Sequence, residues 1–412
     1  MISCMKKVTS LYICPWSLRD PLCQSQSLAY IRQLVTAGNE FSLITFEIAA
    51  YRLRPPEIAA EKEQLRNEGI EWHPVNWDGG TSLGAKIGGV FRVLGAGIRV
   101  CLRNRPSLIH SRSSLPCFMA VCLKKLFRTK YLYDADSMLS EEYADIGHMR
   151  RESLGFRFLA WSEKWARKNA DHIIVLTEKL RDEYRNKLEV KKQIDVIPCC
   201  VDLKRFASVD EARSARRTEI GIVDERLYIY VGKVGSWYLV DETFDLFRVA
   251  LAHDPECRLL IITPDQPAVF DAIARRGGVP ESAYSIRSAG FEIVGEWMAA
   301  ADVGLALIKQ VSSKRGSSPV KFAEYLASGL PIISTTGIGD LDELINRNEI
   351  GACLGEFTDD AYAKALQHVE ELGDVAQRCR EVAAKEFDLE RVGGTRYRKV
   401  YSELLGHLNA SD

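Results

Sequence analysis

The chain has 412 residues, of which 46% are hydrophobic and 27% charged; this is the make-up of a water-soluble globular protein too long for one core, so two domains are expected. Net charge is −1, but residues 1–202 hold 30 Lys and Arg against 23 Asp and Glu, leaving 25 against 33 beyond. A basic N-terminal half points to an anionic partner, a membrane surface or a phosphorylated lipid, with ordinary solvated faces as the alternative.

The 11 cysteines form no CxxC pair and no metal-like spacing with histidine, and several stand in apolar runs, as reduced buried thiols of a cytosolic protein do. MISCMKKVTSLYICPW has too short an apolar core for a signal peptide, and no run approaches the length of a membrane span. The expected location is cytoplasmic, at most peripheral on the inner face of the cell membrane.

Val8 to Cys14 reads as a first strand, leading into the loop PWSLRDPLCQSQ. From Ser27 the apolar residues Leu28, Ile31, Leu34 and Val35 recur at helical spacing until Gly38, and FSLITFE begins a second strand. The GxGxxG fingerprint of a dinucleotide fold is absent. Glu57 to Asn67 follows as a helix, EWHPVNW as a strand, and a Gly-rich stretch runs from Gly79 to Gly97. Lys86 to Arg103 is a basic helix that can lie on a membrane, but glycines break its apolar face, and packing on a sheet is favoured. Short strands at Ser107–His110 and Lys130–Tyr133, then HIIVLT and DVIPCCVD, alternate with helices to complete one α/β domain.

The alternation restarts at LYIYVG, which opens into GKVGSWY, and continues through RLLIIT, YSIRS and DVGLALI with helices between. SSKRGSSPVKFAEYLASGLPIIST then gives a loop, a helix and a buried strand. In that helix Phe322, Ala323 and Leu326 share an apolar face and Lys321, Glu324 and Tyr325 stay polar. The predicted architecture is two Rossmann-like domains facing across a cleft, 1–198 and 199–385, with a C-terminal helix at 386–412 returning to the first. No basic and aromatic interleaving suggests nucleic acid.

In sequence order, PLCQSQSLAYIRQLVTAGNEFSLITFE, VIPCCVDLKRF, YVGKVGSWYLVDETFDLF and SSPVKFAEYLASGLPIIST resemble successive segments of the family 4 glycosyltransferases of the GT-B fold, bacterial type. The resemblance implies a retaining, metal-independent enzyme. It would move a hexose-type sugar from a nucleoside-diphosphate sugar to a saccharide or lipid-linked acceptor, in cell-surface polysaccharide or glycoconjugate synthesis. It implies no cofactor. A sugar-nucleotide epimerase and a non-catalytic partner subunit of the same fold are the alternatives.

Such a transfer builds charge on the departing phosphate, so cations and helix-terminal amides must meet it. By resemblance Lys233, just past Gly232, takes the diphosphate. A second lysine is expected five or six residues later, yet Trp237, Tyr238 and Leu239 stand there, so Lys321, Lys314 or Arg315 must serve, Lys321 foremost. Glu324 matches the second glutamate of the family's E-x7-E pattern, assigned to the ribose. The first would fall at Gly316, where amides of Gly316, Ser317 and Ser318 can substitute.

The DAD at Asp134–Asp136 invites a metal reading, set aside because the triplet ends an N-terminal-domain strand. Asp136 instead stands where the family has a histidine near the transferred sugar, with capping of the next helix as the plainer role. Arg112 is expected to face the cleft and touch acceptor or phosphate, His110 to be a packed core residue, and Ser25 and Gln26 to lie in the loop near the diphosphate.

Overall fold

The computed structural model describes residues 8–77, 83–206 and 209–406, so the start of the Gly-rich stretch lies outside the described residues. The chain forms two compact units: Met1–Pro198 with Leu389–Asp412, and Cys199–Asp388.

The first unit holds a parallel seven-stranded sheet. Its strands are β1 (Val8–Cys14), β2 (Asn39–Glu47), β3 (Ile70–Asn76), β4 (Leu108–Arg112), β5 (Lys130–Ala135), β6 (His172–Val175) and β7 (Ile194–Val196). They run in the order β3-β2-β1-β4-β5-β6-β7. The order reverses between β1 and β4, so the carboxyl ends of these strands frame a crevice of the doubly wound kind. Register pairs Arg112 with Asp134 across β4 and β5. Every residue of β4 is buried, as expected of a parallel sheet covered on both faces.

The second unit repeats the plan with six parallel strands. They are β8 (Leu227–Val231), β9 (Arg258–Ile262), β10 (Tyr284–Arg287), β11 (Val303–Ala306), β12 (Ile332–Thr335) and β13 (Gly351–Leu354), in the order β10-β9-β8-β11-β12-β13. The sequence pattern does not announce β13, four residues long and opened by a glycine. Gly351 is obligatory there: its φ is +151°, and a Cβ would come within 2.0 Å of the Ile332 carbonyl oxygen.

Two local expectations change. The first helix begins at Pro21, capped by Asp20 accepting from the Leu22 amide, and passes through a π-helical stretch at Gln24–Leu28. Proline at the first helical position together with an aspartate cap starts the helix six residues before the apolar periodicity does. The helix Val320–Ala327, expected to keep a polar face, is buried from Lys321 to Ala327. The ten described cysteines are free thiols, eight of them buried.

Candidate functional site

In the second unit, Gly232 directly follows β8, and the first turn of the helix Val320–Ala327 brings Lys321 to it. Tyr325 fixes the approach. Its ring lies under β11, where a Cβ on Gly304 would come within 2.6 Å, and its hydroxyl accepts the Val231 amide at 2.9 Å. The lack of side chains at Gly304 and Gly232 therefore sets how close the helix comes.

Lys321, in the first turn of this helix, is 7% exposed, and its Nζ has no hydrogen-bond partner. The ammonium lies 3.7 Å from the centroid of the Tyr238 ring and 5.2 Å from that of Tyr230. A Cβ on Gly232 would stand 3.0 Å from Nζ, so the amine reaches the end of β8. Burial pulls its pKa down to about 7, against the partial support of Glu324. Lys314 sits 3.6 Å from the centroid of the Trp237 ring. The aromatic pair at the place of an expected lysine thus seats two lysines brought from elsewhere in the chain.

Glu324, one turn on from Lys321, is buried, and burial raises its pKa while Arg205 and Lys321 oppose the rise. Arg205 Nη1 lies 3.8 Å from Glu324 Oε1, and its guanidinium carbon 3.7 Å from the Phe291 ring centroid, with a hydrogen bond to the Phe291 carbonyl. Sequence reasoning missed Arg205; its only signal is a basic residue within DLKRF, between the two α/β alternations. Gly316 is buried in the short 3-10 turn Ser312–Gly316. The Ser317 amide donates to the Lys314 carbonyl, and the Ser318 hydroxyl accepts the Cys199 amide at 3.2 Å. Lys233 is exposed, and its carbonyl accepts the Tyr230 hydroxyl at 2.7 Å.

In the first unit the strand ends carry a buried polar network. Arg112 Nη1 donates to Asp134 Oδ2 at 2.7 Å, and the same oxygen accepts the Tyr397 hydroxyl at 2.6 Å. His110 Nδ1 lies 2.8 Å from the Tyr401 hydroxyl, so this histidine is a packed one. Arg112 is therefore not presented to an acceptor: it is 2% exposed and ties β4 to β5 and to the helix Thr395–Leu405. A charge inside a protein stays where an opposite charge and hydrogen bonds hold it, and Asp134 supplies both.

Asp136 stands just beyond β5 with its side chain 13% exposed, and Oδ2 is 3.9 Å from Arg112 Nε. Its Oδ1 has no hydrogen-bond partner. Burial lifts its pKa to about 7, with Arg112 opposing and Asp134 and Glu142 adding to the rise. Ser25 and Gln26 are not in a loop. Both lie in the π-helical stretch, where the Ser25 hydroxyl donates to the Pro21 carbonyl at 2.7 Å and Gln26 is buried.

Residues 24–200 match the family described as the glycosyl transferase 4-like domain. Over nearly its whole length the chain is similar to sucrose-phosphate synthase from Thermosynechococcus elongatus, at 17% identity and a TM-score of 0.75, covering 97% of this chain and 99% of that one. It is similar to WaaG, a glycosyltransferase involved in lipopolysaccharide biosynthesis, at 18% identity and a TM-score of 0.68, covering 97% and 100%. Anabaena HepE, in complex with UDP, is a further structural match at 15% identity and a TM-score of 0.68, covering 96% and 100%. No curated protein matches the sequence significantly. At these identities the structural likeness concerns the fold.

Proposed function

The chain has the GT-B fold and carries a glycosyl transferase 4-like domain over residues 24–200, and from that premise we propose a retaining glycosyltransferase that moves a hexose-type sugar from a nucleoside-diphosphate sugar to a hydroxyl of a saccharide or lipid-linked acceptor. The observation that carries this reading is Lys321, a buried ammonium without a hydrogen-bond partner at the end of β8. A buried unpaired amine is costly, and an incoming diphosphate offsets that cost by supplying the missing partner. Support for a nucleoside-diphosphate donor comes also from Anabaena HepE, which binds UDP.

In this reading Lys321 and Lys233 take the diphosphate, with Lys314 adding positive charge nearby, and this lysine set is the support for metal independence. Glu324 accepts the ribose hydroxyls, and its carboxylate, already near Arg205, is held in one place to do so. Amides of Gly316 and Ser318 hold the sugar; that of Ser317, expected to join them, is engaged by the Lys314 carbonyl. Asp136 stabilises positive charge on the sugar ring or accepts a sugar hydroxyl. The bond from C1 to the β-phosphate oxygen breaks with its electron pair going to the phosphate. The acceptor oxygen bonds C1 on the same face, and its proton passes to the departing phosphate. The product enters cell-surface polysaccharide or glycoconjugate synthesis.

Calorimetric titration with UDP, GDP and ADP, followed by hydrolysis assays on the matching sugar nucleotides, tests the proposal. One nucleotide is expected to bind, and Glu324→Ala to weaken it at least about tenfold through lost ribose contacts. Absence of binding to all three overturns the enzyme reading. Tight binding without turnover of any sugar nucleotide points to a non-catalytic subunit instead.

A further inference from the structure

Three helices of the first unit, Leu83–Asn104, Ser114–Phe127 and Leu154–Asn169, pack side by side, the middle one touching both neighbours. Inward they bury Val93, Val100, Met119, Val121 and Ala166 in the core of the unit. Outward they expose large apolar side chains as well as charged ones. On the first, Ile87, Phe91, Ile98 and Leu102 are exposed, and their spacing of four, seven and four keeps them within about 60° of one another around the helix. Phe91 is 68% exposed and Leu102 66%.

Two of the glycines that break the apolar pattern in sequence do so on the packed side. A Cβ on Gly89 would come within 2.7 Å of the Trp77 ring, and one on Gly97 within 2.6 Å of Leu123. The side that packs is therefore distinct from the outer stripe, where Gly95 stands exposed among the apolar residues. The two neighbouring helices expose Leu126, Leu154, Phe158 and Trp161 as well, the last stacked on Trp165 at 5.1 Å between ring centroids. Among the described residues, eight of the fourteen exposed large hydrophobics stand on these three helices. Scattered apolar residues are ordinary at a surface, but such concentration on one face is not.

Charge decides what covers it. The three helices contain ten Lys and Arg and a single acid, Glu163. That acid is buried, accepting hydrogen bonds from the Ser114 and Ser140 hydroxyls. Arg99, Arg157, Lys164 and Lys168 are exposed on the same helices as the apolar stripe. A second copy of the chain would set this cationic face against itself. A bilayer with anionic headgroups offers an anionic layer for the lysines and arginines and an apolar layer just beneath for Phe91, Leu102 and Leu154. No described helix is long and apolar enough to cross a membrane, so the contact is a surface one.

We propose that this three-helix face docks the first unit on an anionic lipid surface. The inference stands apart from the donor site, since none of its residues lies in the second unit.

The test is sedimentation with vesicles of phosphatidylcholine containing about 30% phosphatidylglycerol, against vesicles of phosphatidylcholine alone. The protein is expected to bind the anionic vesicles, to release as salt is raised, and to bind the neutral ones weakly. Phe91→Ser with Leu102→Ser, and Leu154→Ser separately, change exposed positions and should leave the melting temperature unaltered. The double variant is expected to lose vesicle affinity by at least about tenfold, and Arg99→Gln with Lys164→Gln by about fivefold. Nucleotide binding is read in parallel and should be the same in all variants, so failure of the donor reading and failure of this one look different. The proposal is overturned by absence of binding to anionic vesicles, or by variants that bind as the parent does. It is equally overturned by a lipid-free dimer in sedimentation velocity that Phe91→Ser dissolves, which would make the face a self-association surface.

Discussion

Arg112 and Asp134, facing each other in register on β4 and β5, form an ion pair of 2.7 Å with both side chains at most 2% exposed. Removing one member strands the other as a buried charge. Arg112→Met is therefore expected to destabilise the protein by about 3 to 5 kcal/mol, read by denaturant unfolding. Tyr397→Phe deletes one charge-assisted hydrogen bond to Asp134 and should cost about 1.5 to 3 kcal/mol. If Arg112→Met left stability intact and reduced only acceptor use, Arg112 would be a substrate contact after all.

Lys321 gives a prediction in which stability and function move in opposite directions. Its folded-state pKa of about 7 lies below its ordinary 10.5, so between these values the folded protein binds fewer protons than the unfolded chain. Stability therefore rises with pH across that window, and the cost of burying the charge is fully present below it. Lys321→Met should raise the melting temperature at pH 6 and remove that rise, while abolishing nucleotide binding. Nucleotide binding to the parent protein at pH 8 should take up close to one proton, seen as a dependence of the calorimetric heat on buffer ionisation. A Lys321→Met protein that still binds nucleotide would dismiss the phosphate role.

The ring of Tyr238 is the seat of that lysine, which makes the ring rather than the hydroxyl the critical part. Tyr238→Phe should keep nucleotide affinity within about twofold. Tyr238→Leu removes the cation–π contact, worth up to about 2 kcal/mol when desolvated, and should weaken binding roughly tenfold or more. Equal losses in both variants would assign the effect to the hydroxyl.

For Asp136 the sign is reversed. Its pKa of about 7 exceeds its ordinary 3.8, so the folded protein binds more protons between these values, and stability falls as pH rises through the window. Asp136→Asn should erase that fall. In the proposed reaction the free enzyme needs Asp136 ionised and Lys321 charged, so kcat/KM should follow a narrow bell centred near pH 7, rising with Asp136 and falling with Lys321. Lys321→Arg is expected to extend activity to higher pH. A falling limb left in place by that change belongs to another group.

Strand positions were legible because a buried parallel strand needs a short apolar run, and LYIYV, RLLII and HIIV each supply one. Helix ends were less so. Pro21 and Asp20 start a helix by capping and a preset φ, signals that carry no apolar periodicity, so Ser25 and Gln26 looked like loop residues. GACL was too short to read as β13, which is defined by its pairing with β12.

By itself the sequence determined two α/β halves, the helix that carries Lys321 and Glu324 three residues apart, and the basic bias of the first half. Each of these depends on neighbours along the chain, through period, spacing or composition. Only the tertiary structure decided that Lys321 rests on Tyr238 and Lys314 on Trp237, that Arg205 stands at Glu324, and that Arg112 is held within the first unit by Asp134 and Tyr397. It also decided that the glycines at 89 and 97 face the core, leaving Ile87, Phe91, Ile98 and Leu102 exposed on the other side of the helix. Those pairings join residues far apart in sequence, and sheet register and close packing, rather than local propensity, bring them together.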